Sequence, residues 1–416
     1  MSSKWQTLRA GQRQTLDADH LSLLKAQQGA IWIHAASVGE FEQARPLIER
    51  IRSTAYRVQS TDPIRRPIVV TFFSPSGYEA RKNYELADGI FYLPLATRRN
   101  ARKFLDALQP SMAIFVKYEF WPAYLRELKK RAIPTYCISA IFRPTQRFFH
   151  WYGRSALNLL KCFTHIFVQD GASRRLLAEH GVHDCSVAGD TRFDRVKEVK
   201  ERLTVNGERL TPIAQFVEGA EHVIVAGSTW PEDEKLLTQF QFRDESLEFR
   251  GKTKLILVPH EIDEAHLHHI FNLFQGRYVK YSSVVRNEGV NELTNESARF
   301  LLQRAQVMVI DTIGLLSSAY RFGHVAYIGG GFGVGIHNTI EAAVYGMPVV
   351  FGPNYTHFRE AEGLIEAGAA RSIKKYSELE AALTTALERH EAIGAKAAEY
   401  VTSELGATEK IYKAIF

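Results

Sequence analysis

The sequence of 416 residues is poor in the features that mark several large classes of protein. It has three cysteines, Cys137, Cys162 and Cys185, and their spacing forms no CxxC or CxxxC pair. This disfavours a disulfide framework or a zinc site and fits a reducing cytoplasm. No run of about 18 apolar residues is present, so we expect no transmembrane span in the chain as given. We also expect no signal peptide.

Two signatures of nucleotide and metal chemistry are missing as well. The turn at residues 227–229 resembles a small phosphate cradle but lacks the lysine of the GxxxxGK[ST] loop, which disfavours nucleotide hydrolysis. No DxD pair follows a predicted strand, so a metal-dependent phosphate clamp of that type is unsupported. His266, His268 and His269 have the pattern of a helix surface rather than of a ligand set. We therefore expect no cofactor and no metal requirement.

What the sequence does have is an excess of positive charge. Lysine and arginine total 52 against 46 acidic residues, which gives a formal net charge of +6 and a pI near 9.0. A basic surface suits nucleic acid, an anionic membrane or a phosphorylated substrate. The cations cluster at Arg98, Arg99, Arg102 and Lys103, at Lys129, Lys130 and Arg131, and at Arg143 and Arg147.

Aromatic residues surround the last of these clusters. A mixture of cations and aromatics is typical of a lipid headgroup interface, whereas the same aromatics could equally form the core of a sheet. Both interpretations stay open on the sequence alone. The aromatics concerned are Phe142, Phe148, Phe149, Trp151 and Tyr152.

Apolar strand patterns alternate with helical patterns along most of the chain. The first helical pattern has apolar residues at i, i+3 and i+4 spacing, as at Phe41, Ala44, Leu47 and Ile48. Repeated βα order predicts parallel sheets with helices on both faces. The predicted strands are 31–36, 67–72, 90–94, 112–116, 134–139, 165–169, 222–226, 254–258, 277–281, 307–310, 325–328 and 349–351.

The alternation is interrupted once. Residues 195–220 carry mixed charge without a strand pattern, which suggests an interdomain linker, and the tail at 377–416 is helical. We therefore predict an α/β protein of two Rossmann-like, doubly wound domains, 1–205 and 206–416, whose strand ends face a central cleft. The C-terminal helix is allowed to pack back on the first domain.

A glycine-rich turn lies within residues 327–353, YIGGGFGVGIHNTIEAAVYGMPVVFGP. Glycines after a strand let the backbone approach a ligand closely, and the start of the following helix suits a phosphate. Glu341, in the first turn of that helix, suits the hydroxyl pair of a sugar. The alternative is an ordinary βαβ turn in which Glu341 is only a charge at a helix start.

Polar residues directly after the other strands are also candidates, because ligands of doubly wound sheets bind at the carboxyl ends of the strands. Glu40 opens a helix after a turn of small residues, where burial and the helix dipole act on it in opposite directions. Glu119 has the same placement; either acid could instead be a simple helix-start charge. The remaining candidates are Ser37, Ser74, Ser76, Lys117, Ser139, Arg143, Ser228, Thr229, His260, Asp311, Gly314, His337 and Asn338.

Taken together, several colinear segments resemble the transferases of 3-deoxy-D-manno-octulosonic acid (Kdo), which are two-domain GT-B glycosyltransferases. The resemblance runs from about residue 4 to the C-terminus. It rests on IWIHAASVGEFEQARPLI, VTFFSPSGYEA, YLPLATRRNARKFLDALQPSMAIFVKYEFWP, FVQDGASRRLLAEHG, VAGDTRFDRV, VAGSTWPEDE, LILVPHEIDEAH, DTIGLLSSAY and GGGFGVGIHNTIEAAVYGMPVVFGP.

The resemblance implies an inverting transferase that moves Kdo from CMP-Kdo to a lipid A precursor (lipid IVA) in lipopolysaccharide biosynthesis. The family's catalytic base falls on Glu40 and its second acidic residue on Glu119. Its CMP-binding elements fall on Pro259, His260, Gly314, Leu315, Leu316, Asn338, Thr339, Ile340 and Glu341.

The chain departs from the family pattern at three places. Many members have arginine where His260 stands and an acidic residue where Leu315 stands. The family's N-terminal membrane anchor normally ends where Met1 falls. The resemblance therefore implies a peripheral protein at the cytoplasmic face of the inner membrane, with the donor, the acceptor and the anionic membrane surface as partners and no nucleic acid.

Three other functions are weighed against this one. A different GT-B enzyme, such as a UDP-sugar transferase or a nucleotide-sugar epimerase, is distinguished by testing CMP against UDP. A nucleic-acid-binding protein would interleave basic residues with exposed aromatics on one face and bind with a steep salt dependence. A purely structural scaffold would not place its special residues at strand ends.

Overall fold

The computed structural model describes residues 3–57, 66–202, 207–242, 253–285, 295–333 and 335–416. The chain divides into two compact units. The first unit comprises Met1–Arg195 and Glu404–Phe416, and the second comprises Val196–Ser403. The domain boundary expected from the sequence, 205/206, lies outside the described residues.

The first unit is built on a seven-stranded, all-parallel sheet with the order β3-β2-β1-β4-β5-β6-β7. Its central strands are buried on both faces, as is typical of a sheet covered by helices on both sides. The strands are β1 Ile31–Ala35, β2 Ile68–Phe72, β3 Gly89–Tyr92, β4 Met112–Val116, β5 Thr135–Ala140, β6 His165–Val168 and β7 Cys185–Val187. The helices up to β7 are α1 Ser3–Gln14, α2 Ala18–Lys25, α3 Val38–Arg57, α4 Pro75–Arg81, α5 Arg98–Leu108, α6 Pro122–Lys130, α7 Arg154–Leu160 and α8 Gly171–Glu179.

The second unit repeats this architecture with a seven-stranded parallel sheet in the order β10-β11-β9-β8-β12-β13-β14. Its strands are β8 His222–Thr229, β9 Thr253–Pro259, β10 Tyr278–Lys280, β11 Val307–Val309, β12 Val325–Ile328, β13 Val349–Phe351 and β14 Ala370–Ser372. The remaining helices of the chain are α9 Thr191–Arg202, α10 Gly207–Val217, α11 Pro231–Phe242, α12 Glu264–Leu273, α13 Tyr281–Val285, α14 Asn295–Arg304, α15 Leu316–Ala319, α16 Ile340–Ala343, α17 Arg359–Glu366, α18 Tyr376–Glu388, α19 His390–Ser403 and α20 Ala407–Ile415.

All twelve strands expected from the sequence are present with small shifts at their ends, and two were missed. The missed strands, β7 and β14, have three residues each and lie at sheet edges. Ser186 in β7 and Arg371 and Ser372 in β14 interrupt the apolar pattern by which a strand is recognised in the sequence. The segment 195–220, expected as an interdomain linker, is largely helical in its described part, where α9 and α10 lie. The first unit ends at the start of this segment, at Arg195.

The strand order creates a switch point in each sheet. In the first unit the chain leaves β1 toward β2 and β3, and then returns to place β4 on the other side of β1. In the second unit β8 and β12 stand in the same relation. The loops after these strands diverge at the switch point, which leaves a crevice where doubly wound folds bind ligands. The carboxyl ends of β1, β4, β8 and β12 are therefore where a site is expected.

Candidate functional site

Glu40 lies at the switch point of the first unit, in the first turn of α3. Its Oε2 accepts hydrogen bonds from the backbone N–H of Ala36, at 2.6 Å, and of Ser37, at 3.2 Å. The Ser37 hydroxyl in turn accepts a 3.4 Å hydrogen bond from the Glu40 N–H. This reciprocal pair is a capping box, which starts the helix and holds the carboxylate at the end of β1. Glu40 therefore does cap the start of α3, as the simpler interpretation from the sequence proposed.

The surroundings of Glu40 nevertheless change its acidity. Burial raises the pKa of the carboxyl from 4.5 to about 7, and the negative charge of Glu119 adds to this increase. The N–H groups of Ala36 and Ser37 and the positive charge of Lys117 act in the opposite direction but are outweighed. A carboxylate with a pKa near 7 is a much stronger base than an exposed one, and it is half ionised near neutral pH. A capping role alone would not require a raised pKa.

Glu119, whose charge contributes to the raised pKa of Glu40, lies in the loop between β4 and α6. Its Oε2 accepts a hydrogen bond of 2.6 Å from the indole N–H of Trp121 and lies 3.2 Å from His34 Nε2. The side chain of Glu119 is only 14% exposed. The acid is therefore oriented by protein groups rather than by water, and Pro122 directly after Trp121 opens α6.

His34 is the residue behind Glu119 that sequence reasoning missed. It is fully buried on β1, and its Nδ1 lies 3.0 Å from the Thr71 carbonyl oxygen and 2.9 Å from the Thr71 hydroxyl. A carbonyl only accepts, so a proton on Nδ1 suits this site, and Nε2 then accepts from the Trp121 N–H at 3.0 Å. A buried histidine within a strand reads as core, which is why the sequence did not reveal it.

A third acid in the first unit, Asp190, follows the missed strand β7 and is buried. Its carboxylate accepts hydrogen bonds from the side chain of Arg192 at 2.7 and 2.9 Å and from the amide of Gln43 at 3.2 Å. Burial raises the pKa of Asp190, but the charge and hydrogen bonds of Arg192 outweigh burial, and the pKa lies below its usual value. Lys117 acts in the same direction, so Asp190 belongs to the electrostatic environment of the site.

In the second unit, the glycine turn after β12 is shaped by the protein itself. A Cβ on Gly329 would lie 2.2 Å from the Ser228 carbonyl oxygen, and one on Gly331 would lie 2.6 Å from the backbone of Gly352. Gly330 has φ +89°, and its N–H donates to the Asp233 carboxylate at 2.9 Å. These glycines therefore let neighbouring loops pack backbone to backbone. The expected close approach to a ligand is not needed to explain them.

Above that turn, Trp230, His260 and His337 form a stack. The ring centroids of Trp230 and His260 are 4.8 Å apart, those of His260 and His337 are 4.3 Å apart, and both pairs are near parallel. The Trp230 N–H donates to His337 Nε2 at 3.3 Å. Burial and the neighbouring His260 lower the pKa of His337 to about 4, so His337 is neutral at physiological pH and can accept this bond. The stack brings the ends of β8 and β9 to the glycine turn.

The residues at the start of α16 that were predicted to bind CMP form a small hydrogen-bond network with α15. Asn338 donates from its amide to Glu341 at 3.0 Å, and the Ser317 hydroxyl donates to the other oxygen of Glu341 at 2.5 Å. The same Asn338 accepts from the N–H of Ile340 at 3.2 Å. Glu341 is half-buried and keeps acceptor capacity beside these donors. The two predicted elements, around residues 314–316 and 338–341, therefore meet.

Not every residue predicted to bind the CMP group of the sugar donor can present its side chain to a ligand. Gly314 and His260 are exposed and Leu316 is half-buried. The other four have side chains inside the unit, so they can contribute only backbone groups: Pro259, Leu315, Thr339 and Ile340. In addition, α16 has four residues, Ile340–Ala343. Its dipole is smaller than that of a long helix, because the macrodipole is a sum over aligned peptides.

Two further acids of the second unit, Asp233 and Glu234, are buried and fully engaged. Asp233 accepts hydrogen bonds from the hydroxyl of Tyr327 at 2.7 Å and from the N–H of Trp230 at 3.0 Å, besides that of Gly330. Glu234 lies 3.0 Å from His266 Nε2, so the expectation that His266 is only helix surface was wrong. Thr229 likewise donates its hydroxyl to Glu234 at 2.9 Å and is buried, which removes it from a phosphate cradle.

Among the residues that the structure describes, no group of three or more His, Cys, Asp or Glu side chains is arranged to hold a metal ion. In those same stretches of the chain, no helix is both long and apolar enough to cross a bilayer. Independence from metal stays a prediction.

The chain is similar to known proteins in sequence and in fold. Residues 9–195 match the family model described as 3-deoxy-D-manno-octulosonic-acid transferase (kdotransferase). The 3-deoxy-D-manno-octulosonic acid transferase of Aquifex aeolicus is 26% identical over 372 residues, which cover 88% of this chain and 88% of the relative. The transferase of the same name from Haemophilus influenzae is 26% identical over 408 residues, or 92% of this chain and 85% of the relative.

Solved structures give the fold. UDP-GlcNAc 2-epimerase from Neisseria meningitidis superposes with a TM-score of 0.63 at 15% identity, covering 93% of this chain and 99% of that chain. At this identity the likeness shows the fold alone, and it confirms the predicted α/β class with Rossmann-like domains of the GT-B type. The family model and the relatives are those of 3-deoxy-D-manno-octulosonic acid transferases, and the chain is similar to these glycosyltransferases over most of its length.

Proposed function

We propose that the chain transfers Kdo from CMP-Kdo to the sugar of a phosphorylated lipid A precursor, with inversion at the anomeric carbon. The observation that carries the mechanism is the carboxylate of Glu40, whose pKa is raised to about 7 at the switch point of the first sheet. In the reaction, an acceptor hydroxyl gives its proton to Glu40 while its oxygen forms the new bond to the anomeric carbon. The bond from that carbon to phosphate breaks, and CMP leaves with the electron pair.

Glu119 is assigned the role of second acidic group. Its negative charge raises the pKa of Glu40 and thereby strengthens the base. Trp121 fixes the direction of the Glu119 carboxylate by donating a hydrogen bond from its indole N–H. A neighbouring acid that cannot move keeps this effect constant during the reaction, which is what preorganised electrostatics require.

The donor is assigned to the second unit. Glu341, oriented by Asn338 and Ser317, is placed to accept hydrogen bonds from a ribose hydroxyl pair. Exposed His260 stands where many relatives have arginine, and we assign it the phosphate together with backbone N–H groups after β9 and β12. Leu315 and Ile340 take part through the backbone. This arrangement stabilises the leaving CMP without a metal ion, so transfer should persist in EDTA when preformed donor is supplied.

The acceptor is a lipid, and we propose that the protein works as a peripheral protein on the cytoplasmic face of the inner membrane. The support comes from two aromatics of the cluster singled out in the sequence. Trp151 is 93% exposed and Tyr152 is 61% exposed, in a 3-10 turn next to Arg147. In contrast, Phe142 is buried and Phe148 and Phe149 pack against the core. The core interpretation thus holds for three of the five aromatics.

One experiment tests the proposal. The protein is incubated with CMP-Kdo generated in situ and a tetra-acylated lipid A precursor, and the product is weighed by mass spectrometry. The expected result is a mass increase of one or more Kdo residues. Thermal stabilisation by CMP and not by UDP is the accompanying binding test. Stabilisation by UDP with no Kdo product would reject the proposal in favour of a UDP-sugar enzyme.

A further inference from the structure

A groove between α5 and α6 in the first unit collects positive charge. It has a volume of about 380 Å³ and is lined by Arg98 and Arg102 of α5 and by Arg126 and Lys130 of α6. Each pair is spaced i, i+4, so its two members project from one face of their helix. The packing of the two helices turns these faces toward the same space. The sequence shows two separate basic runs; the fold makes them one surface.

The charge in this groove is only weakly compensated by the protein. Glu127 is the one acidic lining residue, and it is 3.5 Å from Arg102 while also binding Arg131 at 3.0 Å outside the groove. All four lining cations are exposed. Within the described parts of the chain, Arg98, Arg126 and Lys130 have no carboxylate at ion-pair distance. Bringing like charges together costs free energy, and an anion in the groove would offset that cost.

The location of the groove connects it to the candidate active site. Pro122 lines the groove and follows Trp121, whose N–H binds Glu119. One end of the groove therefore lies close along the chain to Glu119, which is in the loop before α6, and the other end reaches Lys130 at the last residue of α6. Guanidinium groups bind phosphate with two parallel hydrogen bonds, and the volume is within the range of small-ligand sites, about 300–1,000 Å³.

We propose that the groove between α5 and α6 binds a phosphate monoester carried by the acceptor sugar, and so positions the acceptor hydroxyl toward the base. This inference rests on the proposed function for its substrate. It assigns to Arg98, Arg102, Arg126 and Lys130 the recognition of a dianion, and to Pro122 the contact with the sugar ring. Arg99 and Lys103, although in the same basic run, do not line the groove.

The first test measures binding of a soluble probe to the full chain. The probe is N-acetylglucosamine 1-phosphate, and N-acetylglucosamine is the neutral control. The double variant Arg98→Glu/Arg126→Glu should bind the phosphate about tenfold more weakly, and wild-type binding should weaken as salt rises. The matched variant Lys129→Glu/Arg175→Glu changes net charge equally at exposed residues outside the groove; it should bind within about twofold of wild type.

Equal loss of binding in both double variants would show that the phosphate is attracted by the net charge of the protein and not bound in the groove, which would overturn the proposal. Because a charge reversal could perturb the helices, the urea midpoints of all variants are compared. The milder Arg98→Gln/Arg126→Gln serves if a midpoint falls. No difference in phosphate binding between this variant and wild type would also overturn the proposal.

The second test uses transfer kinetics. With the phosphorylated acceptor, the Arg98→Glu/Arg126→Glu variant should raise KM for the acceptor about tenfold and leave kcat near wild type, because it loses ground-state binding. With a dephosphorylated acceptor, wild type and variant should be equal. Equal damage with both acceptors would overturn the phosphate assignment. If wild type transfers no Kdo at all, the proposed function fails. Binding of N-acetylglucosamine 1-phosphate then still tests whether the groove binds a phosphate monoester.

A third arm separates the acceptor phosphate from bilayer charge. Wild type and variant are sedimented with phosphatidylcholine vesicles containing phosphatidylglycerol, whose headgroup is a phosphate diester. The proposal expects the groove variant to keep most of its vesicle binding. Loss of vesicle binding with unchanged affinity for N-acetylglucosamine 1-phosphate would show that the groove contacts the bilayer and would overturn the proposal.

Discussion

The carboxylates after β1 in the first unit and after β8 in the second unit occupy equivalent places in two doubly wound sheets, yet the protein holds them differently. Glu40 is half-buried, and its pKa is raised to about 7. Asp233 is 1% exposed and accepts three hydrogen bonds from its own unit. The first arrangement keeps a strong base available to a ligand, whereas the second uses an acid to join strands and loops. Position after a strand is therefore not sufficient to assign chemistry.

The sharpest way to test this contrast is the same amide substitution in both acids. Glu40→Gln should lower the transfer rate by roughly two to four orders of magnitude, the range for loss of a general base. Glutamine can still complete the capping box, so the variant should remain folded and its affinity for CMP should stay near wild type. Turnover is measured with saturating donor and acceptor. Near-wild-type transfer by this variant would leave Glu40 as a helix cap only.

Asp233→Asn should produce the opposite outcome. The amide places an NH₂ group against N–H and O–H donors that the carboxylate now satisfies, and the free energy of unfolding should fall by about 2–3 kcal/mol. Urea denaturation followed by fluorescence measures the change. Wild-type stability together with loss of transfer would show that Asp233 acts in the chemistry, and the contrast between the units would disappear.

The next prediction concerns the donor. Replacing Asn338 or Glu341 by alanine should weaken CMP binding by about 1–3 kcal/mol, the range for losing a hydrogen bond to a charged or buried group. Ser317→Ala, which only orients Glu341, should have a smaller effect. Calorimetric titration with CMP gives the affinities. Unchanged CMP binding with a weakened acceptor would contradict the assignment of the donor to the second unit.

The raised pKa of Glu40 predicts opposite pH trends in activity and stability. The base must be ionised, so kcat/KM should rise with pH through an apparent pKa of about 7. The folded state binds the proton more tightly than the unfolded chain, whose pKa is near 4.5. Stability from this group is therefore complete below pH 4.5 and is lost as pH rises toward 7.

Two variants check that pH trend. Glu40→Gln should gain stability relative to wild type between those pH values, as measured by urea midpoints across the range. Glu119→Gln removes a charge that raises the pKa of Glu40, so the inflection in kcat/KM should move to lower pH. An inflection that does not move would show that Glu119 has no electrostatic effect on the base.

The smallest effect is expected at the membrane. Each cation near an anionic surface contributes about 1 kcal/mol, screened by salt, and exposed aromatics add to this at the headgroup level. The protein should co-sediment with anionic vesicles at low salt and be released at high salt. Trp151→Ser/Tyr152→Ser and Arg143→Glu/Arg147→Glu should each weaken binding. Ile313→Ser, which removes an equally exposed apolar side chain in the second unit, should not. Salt-independent binding would place the membrane face elsewhere.

The candidate site illustrates how far the sequence alone could lead. Glu40 and Glu119 were identifiable because each closely follows an apolar strand, a pattern contained in a few consecutive residues. Glu119 was also expected to open a helix, but it lies in the loop before α6, which begins at Pro122. His34 was not identifiable, because its partner Glu119 is 85 residues away and an apolar strand around a histidine looks like core. Asp190 was missed together with β7, whose three residues carry no periodic signal. Leu315 was expected at the donor site, but its side chain is buried. A sequence motif does not report where a side chain points, so this burial could not be predicted.

By itself the sequence determined the α/β class, the twelve longer or more apolar strands and the residues that follow them, because these depend on local periodicity. Only the tertiary structure decided which of those residues act on one another. The order of strands places β4 beside β1, so that Glu119 raises the pKa of Glu40. The packing of α5 on α6 likewise merges two basic runs into one groove. Electrostatic coupling falls with distance and depends on burial, and both quantities exist only once the chain has folded.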